Sequence, residues 1–220
     1  MSDEPSVSSL AKNVREGLAK TFIEDVIVGQ YRQLVRWQHI TGQSAQIDSG
    51  YLGQHLISLI AGVPGRGKGG RGKGDDLADG SEVKTASTLG GVDKPRWNNS
   101  LPTEAKVEAY LSNPAIYFGL LDTLTKGEEF PVRVRVWVVK PATDPAFQDV
   151  VNGWATEVTS PNFQLHPPCW SDSDIATNNC GKLRLPLAFR ALQLDVKGVD
   201  YLEVEHWHDD PGACQVEVTP

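Results

Sequence analysis

The chain has 220 residues, 40% of them hydrophobic and 22% charged, and a formal charge of −7. That length buries a sizeable core without staples, and since neither fraction is extreme a soluble globular protein is the default expectation. The acidic balance opposes a chain-wide attraction to nucleic acid, but phosphate binding follows the local field, and the charge is unevenly spread, with four basic residues and no acid between Pro64 and Gly74.

The segment Met1 to Ser9 is polar and acidic, unlike a secretory signal peptide. No apolar run approaches the roughly 20 residues that span a bilayer. The three cysteines, Cys169, Cys180 and Cys214, lie late in the chain and are odd in number, which does not make a disulfide framework. A soluble protein of the reducing cytoplasm, with no membrane partner, is expected.

From about Leu10 to Trp37 apolar residues fall at helical spacing: Leu10, Val14, Leu18 and Phe22, then Val26, Tyr31, Leu34 and Trp37. Gly29 is expected to break this into two helices. Thr41 to Ser49 reads as a loop. Tyr51 to Ala61 reads as a short helix with Leu52, Leu56, Leu59 and Ile60 apolar and Gly62 as its C-cap. The stretch Gly65 to Gly74 is dominated by glycine and carries Arg66, Lys68, Arg71 and Lys73 without an acid. It reads as a basic loop.

Asp75 to Asp79 and Ser81 to Ser87 read as two strands of a hairpin turning at Asp79-Gly80. Val132, Val134, Val136 and Val138 alternate with Arg133, Arg135 and Trp137, a strand pattern. A helix over Pro145 to Trp154 and strands at Phe163 to Leu165, Lys182 to Leu187 and Tyr201 to Glu205 complete the pattern. Helices in front and strands behind imply an α/β or α+β domain.

The chemistry concentrates in Gly74 to Lys84. Residues two apart on a strand share a face, so Glu82 and Lys84 project together with Val83 behind them. A hairpin partner would set Asp76 beside Glu82. Two converging carboxylates make a hard-oxygen site suited to magnesium. A lysine beside them can orient a water or neutralise charge developing on a phosphate. The same Glu-x-Lys pair on an exposed strand is commonly only a solvated ion pair, and it is the aspartate, the turn and the basic loop around it that favour a site.

At these residues the sequence resembles the PD-(D/E)xK nucleases. Gly53-Gln54 on a helix, the glycine-rich loop, Asp76 and Glu82-Val-Lys-Thr85 follow in the order of MutH-type enzymes. The stretch from Gly50 to Asn99, with Asp93-Lys-Pro-Arg-Trp-Asn98, resembles type II restriction enzymes of the MamI-like kind, and His166-Pro-Pro168 and Asn179-Cys-Gly-Lys-Leu183 are similar to later motifs of that group.

The resemblance implies a restriction-endonuclease-like core, a central mixed β-sheet flanked by helices, in a single nuclease domain over 1–220. Residues 1–48 would form a helical N-terminal part, 50–100 the catalytic core, and 160–220 a DNA-recognition or dimerisation part. It further implies a homodimer that hydrolyses double-stranded DNA at a short site with Mg2+, bound by Asp76, Glu82 and the Val83 carbonyl, with Lys84 acting on the water. Asp75 stands where the signature has proline, so either aspartate is a candidate ligand. The acid that MutH-like enzymes carry further along the helix has no counterpart at Ile57 or Ser58.

Other readings of the same residues remain. Gly62 to Lys68 approaches a P-loop but has Gly69 where a Ser or Thr is required. Arg96 and Asn98, and later Asn179 and Lys182, are residue types that read base edges, or else cap loops. Cys169, Cys180 and Cys214, with His206 and His208, could supply a structural Zn2+ site, although their spacing matches no common zinc module. A non-catalytic nucleic-acid-binding module and a MutH-like nicking or repair nuclease are the alternatives to a restriction enzyme.

Overall fold

The computed structural model describes residues 5–66, 75–89, 95–123, 132–157, 161–166, 183–184, 190–195 and 202–203. Its first part is one continuous helical run: α1 (Lys12–Phe22), a π-helical stretch (Ile23–Val28) and α2 (Gly29–Thr41). Gly29 therefore does not break the helix; its φ and ψ of −59° and −50° are helical. The expected stripe is also displaced. Val14 and Leu18 are exposed, whereas Ala19, Ile23, Ile27, Val28 and Tyr31 are buried. The wider π turn shifts the phase of the helix, so one 3.6-residue period does not describe both halves. Gly42, at φ +71°, ends α2, as an αL residue commonly does.

Helix α3 (Ser49–Ala61) starts at Asp48, whose carboxylate accepts the Gly50 N–H at 3.2 Å. It ends at Gly62, the expected C-cap, at φ +73°. Strand β1 (Glu82–Ser87) follows the basic loop; β2 (Trp97–Ser100) and α4 (Glu104–Leu111) lead to β3 (Ile116–Thr123). β3 pairs parallel with β1, the long connection that such a pair requires being supplied by β2 and α4. Thr103 caps α4 by accepting the Lys106 N–H at 3.3 Å. Then come β4 (Val132–Val139), α5 (Pro145–Glu157), β5 (Asn162–His166), β6 (Leu183–Arg184), β7 (Arg190–Asp195) and β8 (Leu202–Glu203).

Among the described residues the central sheet has the order β1-β3-β4-β7-β8, and β2-β5-β6 form a second, smaller sheet. Both mix parallel and antiparallel pairs. Helices flank the central sheet, as a restriction-endonuclease-like α/β core requires. Alternation along its strands separates two cores. Val83, Leu121, Val134 and Val136 pack with α1, α2 and α3; Ala86, Ile116, Phe118, Leu120, Trp137 and Val139 pack with α4, α5 and the small sheet. The sheet is thus covered on both faces, and Trp137, alternating with the valines, is buried rather than solvated.

The expected hairpin is not formed. Residues 75–79 make no strand; Leu77 forms an isolated antiparallel bridge with Gly65, and β1 pairs with β3. The turn at Asp79-Gly80 does exist. Gly80 takes φ +90°, and the Asp79 carboxylate accepts the Ser81 N–H at 2.9 Å. An Asp-Gly pair reports the turn but not which strand the returning chain joins. No described helix is long and apolar enough to cross a membrane.

Candidate active site

β1 is an edge strand of the central sheet among the described residues. The Glu82 N–H reaches the Ala115 carbonyl at 3.0 Å, on the β3 side. Successive amides point to opposite sides of a strand, so the Val83 N–H faces the open edge. There it donates to Asp76 Oδ2 at 2.8 Å. The N–H and C=O of one strand residue lie on the same side, so the Val83 carbonyl opens onto the edge that Asp76 occupies. Asp76 thus comes to the head of β1 as a cap on the edge of the strand, at Val83, and not as the cross-strand partner of Glu82 that a hairpin would make it.

The Asp76 carboxylate accepts a second bond at its other oxygen, from Gln54 Nε2 on α3 at 2.5 Å. Glu82 and Lys84 share a face, and the Lys84 ammonium donates to Glu82 Oε1. The two side chains are only 20% and 27% exposed, respectively. Burial pushes the Glu82 carboxyl above the usual carboxylate value; Lys84 opposes the shift, and the charges of Asp76 and Asp75 add to it. Tyr110 on α4 lies in the same field. Burial and then the Glu82 charge raise its phenol well above its ordinary value, and its hydroxyl has no hydrogen-bond partner among the described residues.

The two adjacent aspartates part company. Asp75 is paired with Arg66, Oδ2 to a guanidinium nitrogen at 3.0 Å, on a half-exposed surface. Asp76 alone turns to β1. Around them the base of the basic loop is tied together: the Arg66 N–H donates to the Asp76 carbonyl at 3.1 Å, and the Ala78 N–H to the Pro64 carbonyl at 2.8 Å. On α3, Ile57 is buried in the core and the Ser58 hydroxyl donates to the Val63 carbonyl at 2.6 Å, so neither offers a ligand at the site.

Of the candidate DNA contacts, Arg66 meets Asp75 as above, Arg96 is half-buried just before β2, and Asn98 is exposed on β2 beside the buried Asn99. Lys68, Arg71, Lys73, Asn179 and Lys182 lie outside the described residues, as do Cys169, Cys180, Cys214, His206 and His208. Among the described residues no three His, Cys, Asp or Glu side chains are grouped to hold a metal. The Asp76–Glu82 pair with a backbone carbonyl is a sparser set of the kind magnesium accepts, because that ion retains several waters. A divalent cation there would also relieve the crowding of Glu82 by Asp75 and Asp76.

Two features of this geometry are not announced by the sequence. The Gln54–Asp76 bond joins residues 22 apart, and the Tyr110 phenol comes from a helix beyond β1. The Gly53-Gln54 pair of the MutH-like motif order hints at the first without giving its partner. A Cβ at Gly53 would overlap the Thr85 side chain of β1, so that glycine marks where α3 comes against the strand.

No solved structure gives a significant match to this chain. The type II restriction enzyme MamI of Microbacterium ammoniaphilum is 37% identical over 221 residues, covering 92% of this chain and 70% of the relative. The family described as MamI restriction endonuclease matches residues 36–199, a span that contains α3, the basic loop, β1 and the central sheet through β7. The chain belongs to the MamI restriction endonuclease family.

Proposed function

We propose that the protein is a sequence-specific type II restriction endonuclease that hydrolyses phosphodiester bonds of double-stranded DNA with Mg2+, using Asp76, Glu82 and Lys84. One observation carries this reading. At the head of β1 an edge-capping aspartate, a desolvated glutamate and a lysine seated on that glutamate converge, in a chain of a restriction endonuclease family.

Asp76, Glu82 and the Val83 carbonyl would hold the ion. Magnesium bound there supplies Lewis-acid polarisation of a phosphate oxygen. Lys84 keeps its ammonium in a half-buried place beside the carboxylates, where it orients the attacking water and offsets negative charge developing on the phosphate. The Arg66–Asp75 pair is half-exposed, and such surface pairs are weak enough for the guanidinium to exchange onto a phosphate. Arg66, Lys68, Arg71 and Lys73 then act as cations that follow the DNA backbone, and Arg96, Asn98, Asn179 and Lys182 as candidate base or backbone contacts.

A homodimer would match a two-fold DNA site and place one active site on each strand, with residues 160–220 serving recognition or dimerisation. Acting on DNA, it would work in the cytoplasm. The test is digestion of a large plasmid or phage DNA with magnesium. Discrete bands that disappear with EDTA and with Lys84→Ala are expected. Nicked circles alone would replace this reading with that of a nicking enzyme. Intact DNA from a folded protein that still retards DNA on a gel would replace it with a binding module.

A further inference from the structure

The Asp76 carboxylate hangs from a segment that is neither helix nor strand, and the torsion about the Cβ–Cγ bond of an aspartate is broad. A single donor, the Val83 N–H, does not stop the group rotating about that contact. The second donor, Gln54 Nε2, comes from a different element and grips the other oxygen. Together they fix the plane of the carboxylate between α3 and β1. An ionised carboxylate only accepts, so the Gln54 amide must turn its NH2 end toward Asp76.

Each carboxylate oxygen has about two acceptor directions, so each keeps one free after these bonds. A neutral amide also orients the carboxylate without cancelling the charge a cation needs, as a lysine or arginine there would. α3 is set for this at Gly53, where the helix meets Thr85 with no room for a Cβ; a Cβ placed on Gly119 of β3 would lie 3.3 Å from the same threonine side chain. The residue following that contact point is Gln54.

We propose that Gln54 is a positioning residue for the metal site: it holds the Asp76 carboxylate in the orientation that presents its free lone pairs to a divalent cation. This inference rests on the reading of Asp76 as a metal ligand. Groups that orient a metal ligand from behind commonly govern affinity by about 10–100-fold.

The experiment is Mn2+ titration of the full chain, without DNA, followed by electron paramagnetic resonance, beside the Mg2+ dependence of cleavage. Gln54→Leu keeps the bulk of the side chain and removes the donor; Gln54→Asn, with its amide on a shorter stem, makes the same test if the leucine variant does not fold. Either variant is expected to bind Mn2+ about tenfold more weakly at an unchanged Tm. Its cleavage should recover most of the parent rate when Mg2+ is raised in proportion. Asp76→Asn is the reference and should lose the Mn2+ site. Parent-like Mn2+ binding by Gln54→Leu and Gln54→Asn, with loss in Asp76→Asn, would overturn the role of Gln54 and leave the nuclease reading standing. Parent-like binding by Asp76→Asn would remove both.

Discussion

The two faces of the central sheet are built from different materials, and the candidate site lies at the end of the strand that divides them. The face under α1, α2 and α3 is mostly aliphatic, with Ile23, Ile27, Leu56, Val83, Leu121 and Val134 in its core. The opposite face is aromatic: Trp97, Phe118, Trp137, Phe147, Trp154 and Phe163 stack in tilted and edge-on contacts. Small residues on the first face let backbones come together, and Gly53 against Thr85 brings the polar head of Gln54 over the edge of β1. Large rings on the second face exclude water, and Glu82 and Tyr110 on that side are desolvated. One face therefore orients a carboxylate and the other raises the energy of a charged one. A cation between them answers both conditions.

Destroying that division at its seam gives the largest effect. Asp76→Ala and Glu82→Ala should each lower the cleavage rate by about a hundredfold to a thousandfold, measured as single-turnover cleavage of a plasmid at saturating protein. Both losses should persist at high Mg2+, in contrast to those at Gln54. A variant at either position that keeps even a tenth of the parent rate would take that residue out of the reacting centre.

The aliphatic face is tested by Gly53→Ala. The added methyl has no place beside Thr85, so α3 must move from β1. A cost of about 1–3 kcal/mol is expected from overpacking, read from urea denaturation, with cleavage impaired because Gln54 moves with its helix. Thr85→Ser opens part of the space, and the double variant should regain part of the loss. Simple additivity of the two substitutions would mean that the close approach does not set the spacing of helix and strand.

The aromatic face is tested by Trp97→Phe. The Trp97 indole N–H donates to the Gly119 carbonyl at 2.8 Å and ties β2 to β3. Phenylalanine loses that bond and leaves a small void, for about 1–2 kcal/mol, with little change in the Mg2+ dependence of cleavage. A large change in metal dependence would show that this face, too, positions the site.

What the sequence discloses of this arrangement follows from the range of each interaction. Asp76, Glu82 and Lys84 are legible because spacing along one short segment already brings them near each other, and β4 is legible from its alternating valines. β3, Ile116–Thr123, is covered on both faces. A strand of that kind reads as an apolar run with no period. β2, α4 and β7 likewise carry no patterning strong enough to announce them. The hairpin expectation fails because Asp79-Gly80 encodes a turn, while the partner of β1 begins at Ile116. The helical stripe slips because the π turn changes the phase, so that Ala19 is buried and Leu18 exposed. Gln54 becomes interpretable only when α3 has docked.

The smallest effect bears on Glu82 itself and carries a definite sign. Burial, reinforced by Asp76 and Asp75, holds its native carboxyl above the ordinary value despite Lys84. The native state therefore keeps the proton over a pH range in which the unfolded chain has released it, and stability must fall as pH rises through that range. Glu82→Gln has no such proton to lose. Without divalent cations the variant should have the higher Tm at pH 7 to 8, and the difference should close as pH falls below the ordinary glutamate range near 4.3. Adding Mg2+ should reverse the order, since only the parent gains the stabilisation that a ligand of the native state confers. A lower Tm for Glu82→Gln at neutral pH in EDTA would mean that the ion pair with Lys84 outweighs the desolvation, and the aromatic face would then not be what holds the site ready for a cation.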